Sequence, residues 1–342
     1  MRKRRLLLIV GACLATVVLT GGTALADPPT PPPYPPVEGN GAQTTEGAMG
    51  DLCNNVIADG SGNAICGSWD VEGSTTVTPK DPAAHPECAN IHRPVQGGDG
   101  FDNLIAKPTC WDYARVVTST DAGTRPTGFT YIPLATDALT YAVRSDGTVP
   151  LNLSTALLKR IYQCDPALTF PSNPNGFKPL IGSFGAGNRT LLFNKLGITD
   201  SATYTTSFPC VRDKDTNGVG LLANDGRVLT DKANLITYSS APYFAQVNRV
   251  EQDIHGNAIL GSINGIPPET LNSSSFIART VYNVVRTGDI SGPTPNPLIQ
   301  NLFVGSGSQV CSNATTIQQH GFSLNPLTPS STCGNTSLVT TN

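Results

Sequence analysis

Short apolar runs alternate with segments of helical spacing along most of the chain. Residues 129–143 (FTYIPLATDALTYAV) are almost continuously apolar and rich in β-branched and aromatic side chains, which predicts strands. Residues 276–285 predict a further strand and 302–304 a short one, and residues 235–246 have an extended start. This alternation of strands and helices predicts an α/β fold.

Three segments combine the apolar spacing of an amphipathic helix with a polar residue suited to its N-cap. We predict that Thr44 or Thr45 caps the first, Ser154 the second and Asn188 the third, and that Gly197 ends the third. The predicted apolar faces consist of Ala48, Met49, Leu52 and Val56; of Leu157, Leu158, Ile161 and Tyr162; and of Leu191, Leu192 and Leu196.

Residues 1–26 have the three parts of a secretory signal peptide. A basic segment at residues 2–5 precedes an apolar run at 6–19, and Ala24-Leu25-Ala26 is a small-residue cleavage site before Asp27. The apolar run is shorter than the roughly 20 residues that a membrane span needs. We therefore predict a secreted chain that begins at Asp27.

Cys13 leaves a second interpretation of this segment open. Residues 10–13 (VGAC) loosely resemble a lipobox, and lipidation of Cys13 would attach the chain to the cell surface. Only residues 6–10 would then form the strongly apolar run, fewer than the roughly 7–15 residues that export signals use. The released form is favoured.

Loss of the signal peptide changes the charge of the chain. Removing four basic residues lowers the Lys+Arg count from 22 to 18 against 25 Asp+Glu, a net charge of −7. A uniformly basic nucleic-acid-binding surface is excluded by this balance. The roughly 300 residues that remain can bury a sizeable core or form two lobes.

Eight cysteines remain without Cys13, and an even number in an exported chain predicts disulfides. Eight cysteines allow 105 connectivities. We predict pairing between neighbours, namely Cys53–Cys66, Cys88–Cys110, Cys164–Cys210 and Cys311–Cys333. A zinc site is the weaker interpretation, because the chain has no CxxC motif and only four histidines.

Two glycine-rich segments carry candidate chemistry. Residues 182–189 (GSFGAGNR) lead into a predicted helix, where backbone N–H groups favour an anion, and residues 93–100 (RPVQGGDG) form a second such turn. Neither has the Gly-Lys-Ser/Thr ending of a nucleotide-binding P-loop. Each segment alone also fits a plain turn.

Several strings in register resemble the secreted type II periplasmic binding proteins, close to the phosphate-binding proteins of ABC importers. Residues 131–140 (YIPLATDALT) resemble the family's IPFAxDAVT, and residues 153–165 (LSTALLKRIYQCD) resemble LTxxQLxxIYxCD. FVGSGSQVC at 303–311, His320 to Phe322 and Cys333-Gly334 match the family's C-terminal end. The resemblance covers roughly residues 41–334.

This resemblance implies a two-lobe α/β fold whose lobes are joined by crossover strands, near residues 132–142 and 236–245, with the ligand in the cleft. The expected organisation is a signal peptide at 1–26, a proline-rich extended linker at 27–40 and lobe 1 at 41–135. Lobe 2 at 136–240, the second part of lobe 1 at 241–334 and a tail at 335–342 follow.

The family's ligand loops are recognisable but substituted. Residues 41–45 read GAQTT where the family has GSDTT, 93–97 read RPVQG for RPNGS, 113–117 read YARVV for FARSS, and 185–189 read GAGNR for GSGTR. The candidate ligand-binding residues carried over are Thr44, Thr45, Arg93, Gly97, Gly98, Arg115, Asp137, Gly187, Asn188 and Arg189.

These substitutions argue against phosphate as the ligand. A hydrogen bond to a charged group contributes about 1.5–3 kcal/mol, so four lost donors cost roughly 6 kcal/mol or more. At 1.4 kcal/mol per tenfold change, a micromolar site would become weaker than millimolar. The open alternative is that backbone N–H groups suffice for binding.

We therefore expect a monomeric extracellular solute-binding protein for a small molecule or an anion other than phosphate, with an ABC permease as partner if it serves an importer. The alternative is a secreted protein of this fold that has lost solute binding and acts as a surface or interaction protein. No cofactor and no enzymatic activity are expected, because GxSxG, HExxH and an unpaired cysteine nucleophile are missing from the mature sequence.

Residues 213–218 (DKDTNG) match half of an EF-hand loop, but Asn224 stands at its twelfth position, which favours a polar turn.

Overall fold

Eleven strands lie within the residues that the computed structural model describes, which are 27–28, 34–119, 122–169, 176–273, 275 and 277–341. The strands are β1 (Val37–Gly41), β2 (Cys66–Ser68), β3 (Thr76–Val77), β4 (Ile91–His92), β5 (Tyr113–Val116), β6 (Phe129–Arg144), β7 (Asn152–Leu153), β8 (Lys178–Leu180), β9 (Asn234–Ser239), β10 (Ala258–Ile263) and β11 (Ala278–Arg286). The predicted signal peptide, with Cys13, lies outside the described residues.

Ten α-helices accompany these strands in the same part of the chain. They are α1 (Glu46–Asp51), α2 (Gly97–Ala106), α3 (Thr155–Tyr162), α4 (Gly187–Leu196), α5 (Tyr204–Ser207), α6 (Ser240–Val247), α7 (Thr287–Ser291), α8 (Pro297–Phe303), α9 (Gln309–Ser312) and α10 (Ala314–Gln319). None of the described helices combines the length and apolar character needed to cross a bilayer.

The predicted helix ends are partly confirmed. Ser154 caps α3, since its hydroxyl accepts the N–H of Leu157, and Gly197 ends α4 in the left-handed conformation at φ 60°. Asn188 is not a cap, because α4 begins at Gly187 and its N-cap is Ala186, two residues before Asn188. The predicted strand at 302–304 is also wrong: Leu302 and Phe303 belong to the buried face of α8, which starts at Pro297, and Val304 is its C-cap.

Lobe 1 is built on the strand order β2-β1-β5-β11-β6. β1 pairs in parallel with β2 and β5, whereas β11 runs antiparallel to β5 and to the first part of β6. Successive side chains of β6 enter different cores, as a strand requires: Ile132 packs with Phe303, and Tyr131 packs with Trp111. Both faces of this sheet are therefore covered.

Lobe 2 is built on the second part of the same strand, β6. Residues 139–143 pair with β9, which pairs with β8, and residues 141–144 pair with β10, which pairs with β7. Tyr141 and Val143 face α3 and α4, while Ala142 packs with Ile236 on the other face. One continuous 16-residue strand thus joins both lobes, and the two-lobe α/β fold expected from the sequence is confirmed.

The lobes divide the chain differently from the expected boundaries in two places. Four of the five residues of β1 lie within the range 27–40 expected for the linker, and all five are buried. β10 and Ile277 pack in the core of lobe 2, although residues 241–334 were assigned to lobe 1. β10 lies between β6 and β7 in the sheet of lobe 2, which places it against that core.

The four neighbour disulfides predicted from the cysteine count are confirmed. Cys53–Cys66, Cys88–Cys110, Cys164–Cys210 and Cys311–Cys333 each form a bond, with sequence separations of 13, 22, 46 and 22. Three of them brace lobe 1 and one braces lobe 2. No disulfide joins the two lobes within the described residues.

Loop length predicts which disulfide matters most. The Cys164→Ala/Cys210→Ala variant is expected to lose about 3–4 kcal/mol of unfolding free energy, because a longer loop is released in the unfolded chain. The matched control is Cys311→Ala/Cys333→Ala, also half-buried but closing a shorter loop, which should lose less. Urea unfolding measures both, and a larger loss in the control would contradict the prediction.

Candidate functional site

The two lobes enclose a cavity of about 410 Å³. Its walls come from the segment after β1, the N-terminal turns of α2 and α4, the end of β5 and the loop at residues 215–228. Most of this wall is apolar, including Val71, Val95, Val117, Leu221, Leu222 and Val228. Among the described residues no arginine or lysine lines the cavity, and its ionisable side chains are the acids Glu72, Asp215 and Asp225.

Arg115 is fully buried in lobe 1 and its hydrogen bonds are made to lobe 1. Its guanidinium donates to the hydroxyl of Ser68 and to the backbone carbonyls of Trp69, at 2.8 Å, and Ala42, at 3.3 Å. These contacts brace the segment after β1 against the end of β2. Arg115 therefore lies outside the cavity wall.

Arg93 is likewise held by groups of lobe 1. Its Nη1 and Nη2 atoms donate to the two carboxylate oxygens of Asp27, both at 2.7 Å. The carbonyls of Ser74 and Asp70 and the hydroxyl of Ser74 accept its other hydrogen bonds. With a 3% exposed side chain, Arg93 does not line the cavity.

Arg189 belongs to the interior of lobe 2. It lies in the first turn of α4, but its side chain turns away from the cavity toward two carboxylates, those of Asp200, at 2.8 Å, and Asp213, at 3.0 Å. Residues 213–219 form the polar turn expected from the sequence. Asp213 pairs with Arg189, and Asp215 accepts hydrogen bonds from backbone N–H groups of the turn itself. All three arginines carried over from the family thus serve the internal structure of their lobes.

Asp137 marks the point where β6 passes from one lobe to the other. Its carboxylate accepts hydrogen bonds from Arg279, at 2.8 and 3.0 Å, and from the backbone N–H of Ala241, at 3.1 Å. Asp137 and Arg279 are buried, and burial lowers the pKa of the arginine. The pair connects β6, β11 and α6 behind the floor of the cavity.

A network of neutral side chains forms that floor. The Thr44 hydroxyl lies 3.5 Å from the Asn188 Oδ1 atom, 3.3 Å from the Asn224 Nδ2 atom and 3.2 Å from the Ser239 hydroxyl. Arg279 donates to Thr44 at 3.4 Å and to Ser239 from behind. The floor is therefore polar, and its side chains hydrogen-bond one another across the two lobes.

The glycines of the candidate site allow close approach of the lobes. A β-carbon on Gly187 would lie 2.3 Å from a methyl group of Val117, and one on Gly98 would lie 3.5 Å from the carbonyl oxygen of Gly185. Gly97 lines the cavity beside Ala42. A valine methyl group thus covers the first turn of α4, where backbone N–H groups would otherwise face an anion.

The structure brings together only part of the predicted site. Thr44, Gly97, Gly187 and Asn188 line the cavity, and Gly98 lies beside it; Arg93, Arg115, Asp137 and Arg189 lie behind the wall, and Thr45 is fully buried. Of the two substituted valines in YARVV, Val117 faces the cavity, whereas Val116 packs in the core of lobe 1.

Sequence reasoning missed Asn224, Ser239 and Arg279 as site residues. Asn224 was noted only as the last position of a failed calcium loop, and Ser239 and Arg279 stand in strand segments with no motif. Ser239 and Arg279 reach the floor of the cavity because β9 and β11 both pair with β6, which brings the two side chains into hydrogen-bonding contact.

A second cavity, of about 780 Å³, shares Gln43, Glu72 and Asn224 with the first. Its wall contains the carboxylates of Asp27, Glu46, Asp51, Asp70, Glu72 and Glu251 together with His320. Burial raises the pKa of Asp70 to about 7, and burial together with the neighbouring charge of Asp70 raises that of Glu46. We call this the acid-lined cavity.

A surface group of possible metal ligands comprises His85, Glu87 and Cys88. Cys88 Sγ is bonded to Cys110, so the thiolate that a metal would need is missing. This group is therefore not a metal site of the oxidised protein.

No family model and no curated protein match the chain. Among solved structures, the chain is similar to an ABC-type phosphate transport receptor from Vibrio cholerae, with 14% identity and a TM-score of 0.48, covering 84% of this chain and 99% of the receptor. A putative phosphate ABC transporter substrate-binding protein from Clostridium perfringens, with bound phosphate, is 11% identical with a TM-score of 0.49, covering 83% and 97%. An OxyR variant from Corynebacterium glutamicum has 11% identity and a TM-score of 0.45, covering 86% and 70%.

The buried pair of Asp137 and Arg279 predicts a large cost for removing one charge. Asp137→Asn is expected to lower the unfolding free energy by about 3–5 kcal/mol, because it leaves a buried guanidinium without its counter-charge. Replacing both residues, as in Asp137→Asn/Arg279→Met, should recover a large part of that loss. Urea unfolding measures the effect, and a single variant as stable as the parent would contradict it.

Proposed function

We propose that this chain is an extracellular solute-binding protein whose interlobe cavity takes an uncharged small molecule instead of phosphate. The observation that carries the proposal is the placement of Arg93, Arg115 and Arg189. Each guanidinium group binds acceptors inside its own lobe and does not line the cavity. The cavity that remains has an apolar wall and a neutral polar floor.

The chemistry of the wall disfavours a doubly charged anion. Burying phosphate beside Val117 and Leu221 costs its hydration, and compensation requires several charge-assisted hydrogen bonds. The remaining donors are backbone N–H groups at the helix starts and the neutral side chains of the floor. The acids Glu72 and Asp215 at the rim add repulsion.

The same features suit a neutral ligand. A volume of about 410 Å³ lies in the range of small-molecule sites, roughly 300–1,000 Å³. Such sites combine apolar walls with a few polar groups that fix orientation, and Thr44, Asn188 and Asn224 supply hydroxyl and amide groups of that kind. Hinge movement about the strands between the lobes would admit the solute.

One observation favours the alternative, a secreted protein that no longer binds a solute. Protein groups hydrogen-bond directly across the cleft: the Asn224 N–H donates to Gln43 Oε1 at 3.2 Å, and Gln96 Nε2 donates to the Phe184 carbonyl at 3.3 Å. These contacts compete with a solute for closure of the cavity. Saturable binding separates the two functions.

We predict weak phosphate binding, with a dissociation constant in the millimolar range or above, by calorimetric titration at low salt. Val117→Ser/Ala186→Ser, which adds two hydroxyls to the cavity wall, should strengthen phosphate binding by about tenfold or more. The matched control is Val116→Ser, whose side chain faces the core of lobe 1 and should leave phosphate affinity unchanged while lowering stability. Micromolar affinity of the parent chain would overturn the proposal.

Solute binding itself is tested by thermal shift with panels of neutral sugars, nucleosides, amides and small alcohols. A ligand at 100 times its dissociation constant stabilises the folded state by about 2.7 kcal/mol, which is readily measured. Ala186→Phe, which fills the cavity, should abolish the shift, whereas Val116→Ile should keep it. If no solute in a broad panel shifts the parent chain saturably, the alternative function is favoured.

A further inference from the structure

Asp27, the first residue after the expected cleavage site, is packed against lobe 1. Its carboxylate forms the two-point contact with Arg93, and its Oδ1 atom also accepts the backbone N–H of Asp70 at 3.3 Å. The next residue, Pro28, is buried. The expected first residue of the mature chain therefore makes specific contacts with lobe 1, although the sequence predicts only an extended spacer there.

The acid-lined cavity beside Asp27 has more negative than positive groups. His320 lines it, and its imidazole nitrogens already contact the carboxylates of Glu251, at 2.8 Å, and Asp51, at 3.5 Å. Arg93 and Arg115 lie behind the wall with their donors directed to other acceptors. Their charges act on the acids from there: both lower the pKa of Asp70, and Arg115 lowers that of Glu46, but in each case burial has the larger, opposite effect. In the part of the chain that the structure describes, Glu46, Asp70 and Glu72 thus form no ion pair with a lysine or arginine.

The α-nitrogen of Asp27 must lie close to this cavity. Only three covalent bonds separate it from the carboxylate carbon that Arg93 holds, and Asp27 itself lines the cavity. In the precursor this nitrogen is an uncharged amide. Hydrolysis of the Ala26–Asp27 bond by a signal peptidase consumes one water and leaves a carboxylate on Ala26 and an ammonium on Asp27 at neutral pH.

We propose that the acid-lined cavity is the binding site of the processed N-terminus: the α-ammonium of Asp27 binds there as the cation that Glu46, Asp70 and Glu72 lack. The Asp27 carboxylate holds Arg93 while its ammonium faces the acids, so both charges of the terminal residue are used. Because the cavity shares Gln43 and Glu72 with the interlobe cavity, this contact also steadies the rim of the solute site. The inference rests on the expected export processing and not on the identity of the solute.

The charges around Asp27 define the expected pH dependence. Neighbouring carboxylates favour the charged amine and raise its pKa above the usual value of about 8, so its stabilisation is complete below pH 8 and is lost as the pH rises through the raised value. At low pH the benefit fades because the acids become protonated, starting near the pKa of Asp70, which burial raises to about 7. The benefit should therefore peak near pH 7–8.

The first test compares two forms of the full mature chain. One has a free amine at Asp27, produced by cleaving a fusion directly before residue 27, and the other is the same chain acetylated at that amine. Near pH 7.5 we expect the free form to melt about 1–2 °C higher, because about 1 kcal/mol from one favourable ion pair shifts the Tm of a chain of roughly 316 residues by about 1.5 °C. The difference should shrink at pH 5 and at pH 10.

Matched variants assign the effect to the cavity. Asp70→Asn and Glu72→Gln should each reduce the difference between the free and acetylated forms, whereas Glu269→Gln, an exposed acid outside both cavities, should leave it unchanged. As a measurement independent of stability, NMR of the ¹³C-dimethylated α-amine should give a pKa above 8 in the parent chain and a lower value in Asp70→Asn.

Two results would contradict separate parts of the proposal. Equal melting temperatures of the free and acetylated forms near pH 7.5, or an α-amine pKa at or below the usual value, overturns the docking. N-terminal sequencing of exported material that starts at another residue overturns the processing step. Solute titrations of the free-amine form report on the proposed function separately, because acetylation changes no residue of the interlobe cavity wall.

Discussion

Buried guanidinium groups must have internal partners, and this constraint organises both lobes. Arg93, Arg115, Arg189 and Arg279 are each at most 6% exposed. A buried cation without a partner would destabilise the fold by several kcal/mol. Each of these guanidinium groups therefore donates hydrogen bonds to neighbouring carboxylates, carbonyls or hydroxyls. The same contacts remove positive charge from the cleft, where an anion would require it.

β6 carries the second constraint. Its first part completes the sheet of lobe 1 and its second part starts the sheet of lobe 2, so the two cores share one continuous strand. Asp137 stands at the change of partner from β11 to β9, and its pairing with Arg279 keeps a charged residue tolerable at a fully buried crossing. The neutral floor of Thr44, Asn188, Asn224 and Ser239 lies in front of that pair, which explains why the cavity presents amides and hydroxyls instead of charge.

Surplus acidity in the chain is concentrated beside the cleft. The net charge of −7 expected for the mature chain follows from its composition, but the fold gathers six carboxylates around one cavity and places Asp27 at its edge. Raised pKa values of Glu46 and Asp70 are the physical consequence, because burial penalises their charged forms. A cation at that position would lower this cost, which is the role proposed for the α-ammonium of Asp27.

The sequence by itself determined the features that depend on local pattern or simple counting. The apolar run at 129–143 identified β6, Ser154 and Gly197 marked helix ends, and the eight cysteines outside the predicted signal peptide indicated the four disulfides. The strand, the helix ends and the disulfides follow from side-chain periodicity, caps and covalent bonding, which are local. The two-lobe fold and the placement of Thr44, Gly97, Gly187 and Asn188 at the cavity were implied by the resemblance of several strings to known binding proteins.

Only the tertiary structure decided where the charges point. Arg115 and Arg189 occupy family positions, yet their partners Ser68, Asp200 and Asp213 come from segments with no recognisable motif. Val116 and Val117 are adjacent and chemically identical, but they enter different clusters of lobe 1. Val116 ends β5 and packs in one core, whereas Val117 follows the strand, packs in the other core and also lines the cavity. The chain pattern cannot distinguish these outcomes, because side-chain direction and ion-pair partners depend on strand register and on residues distant in sequence.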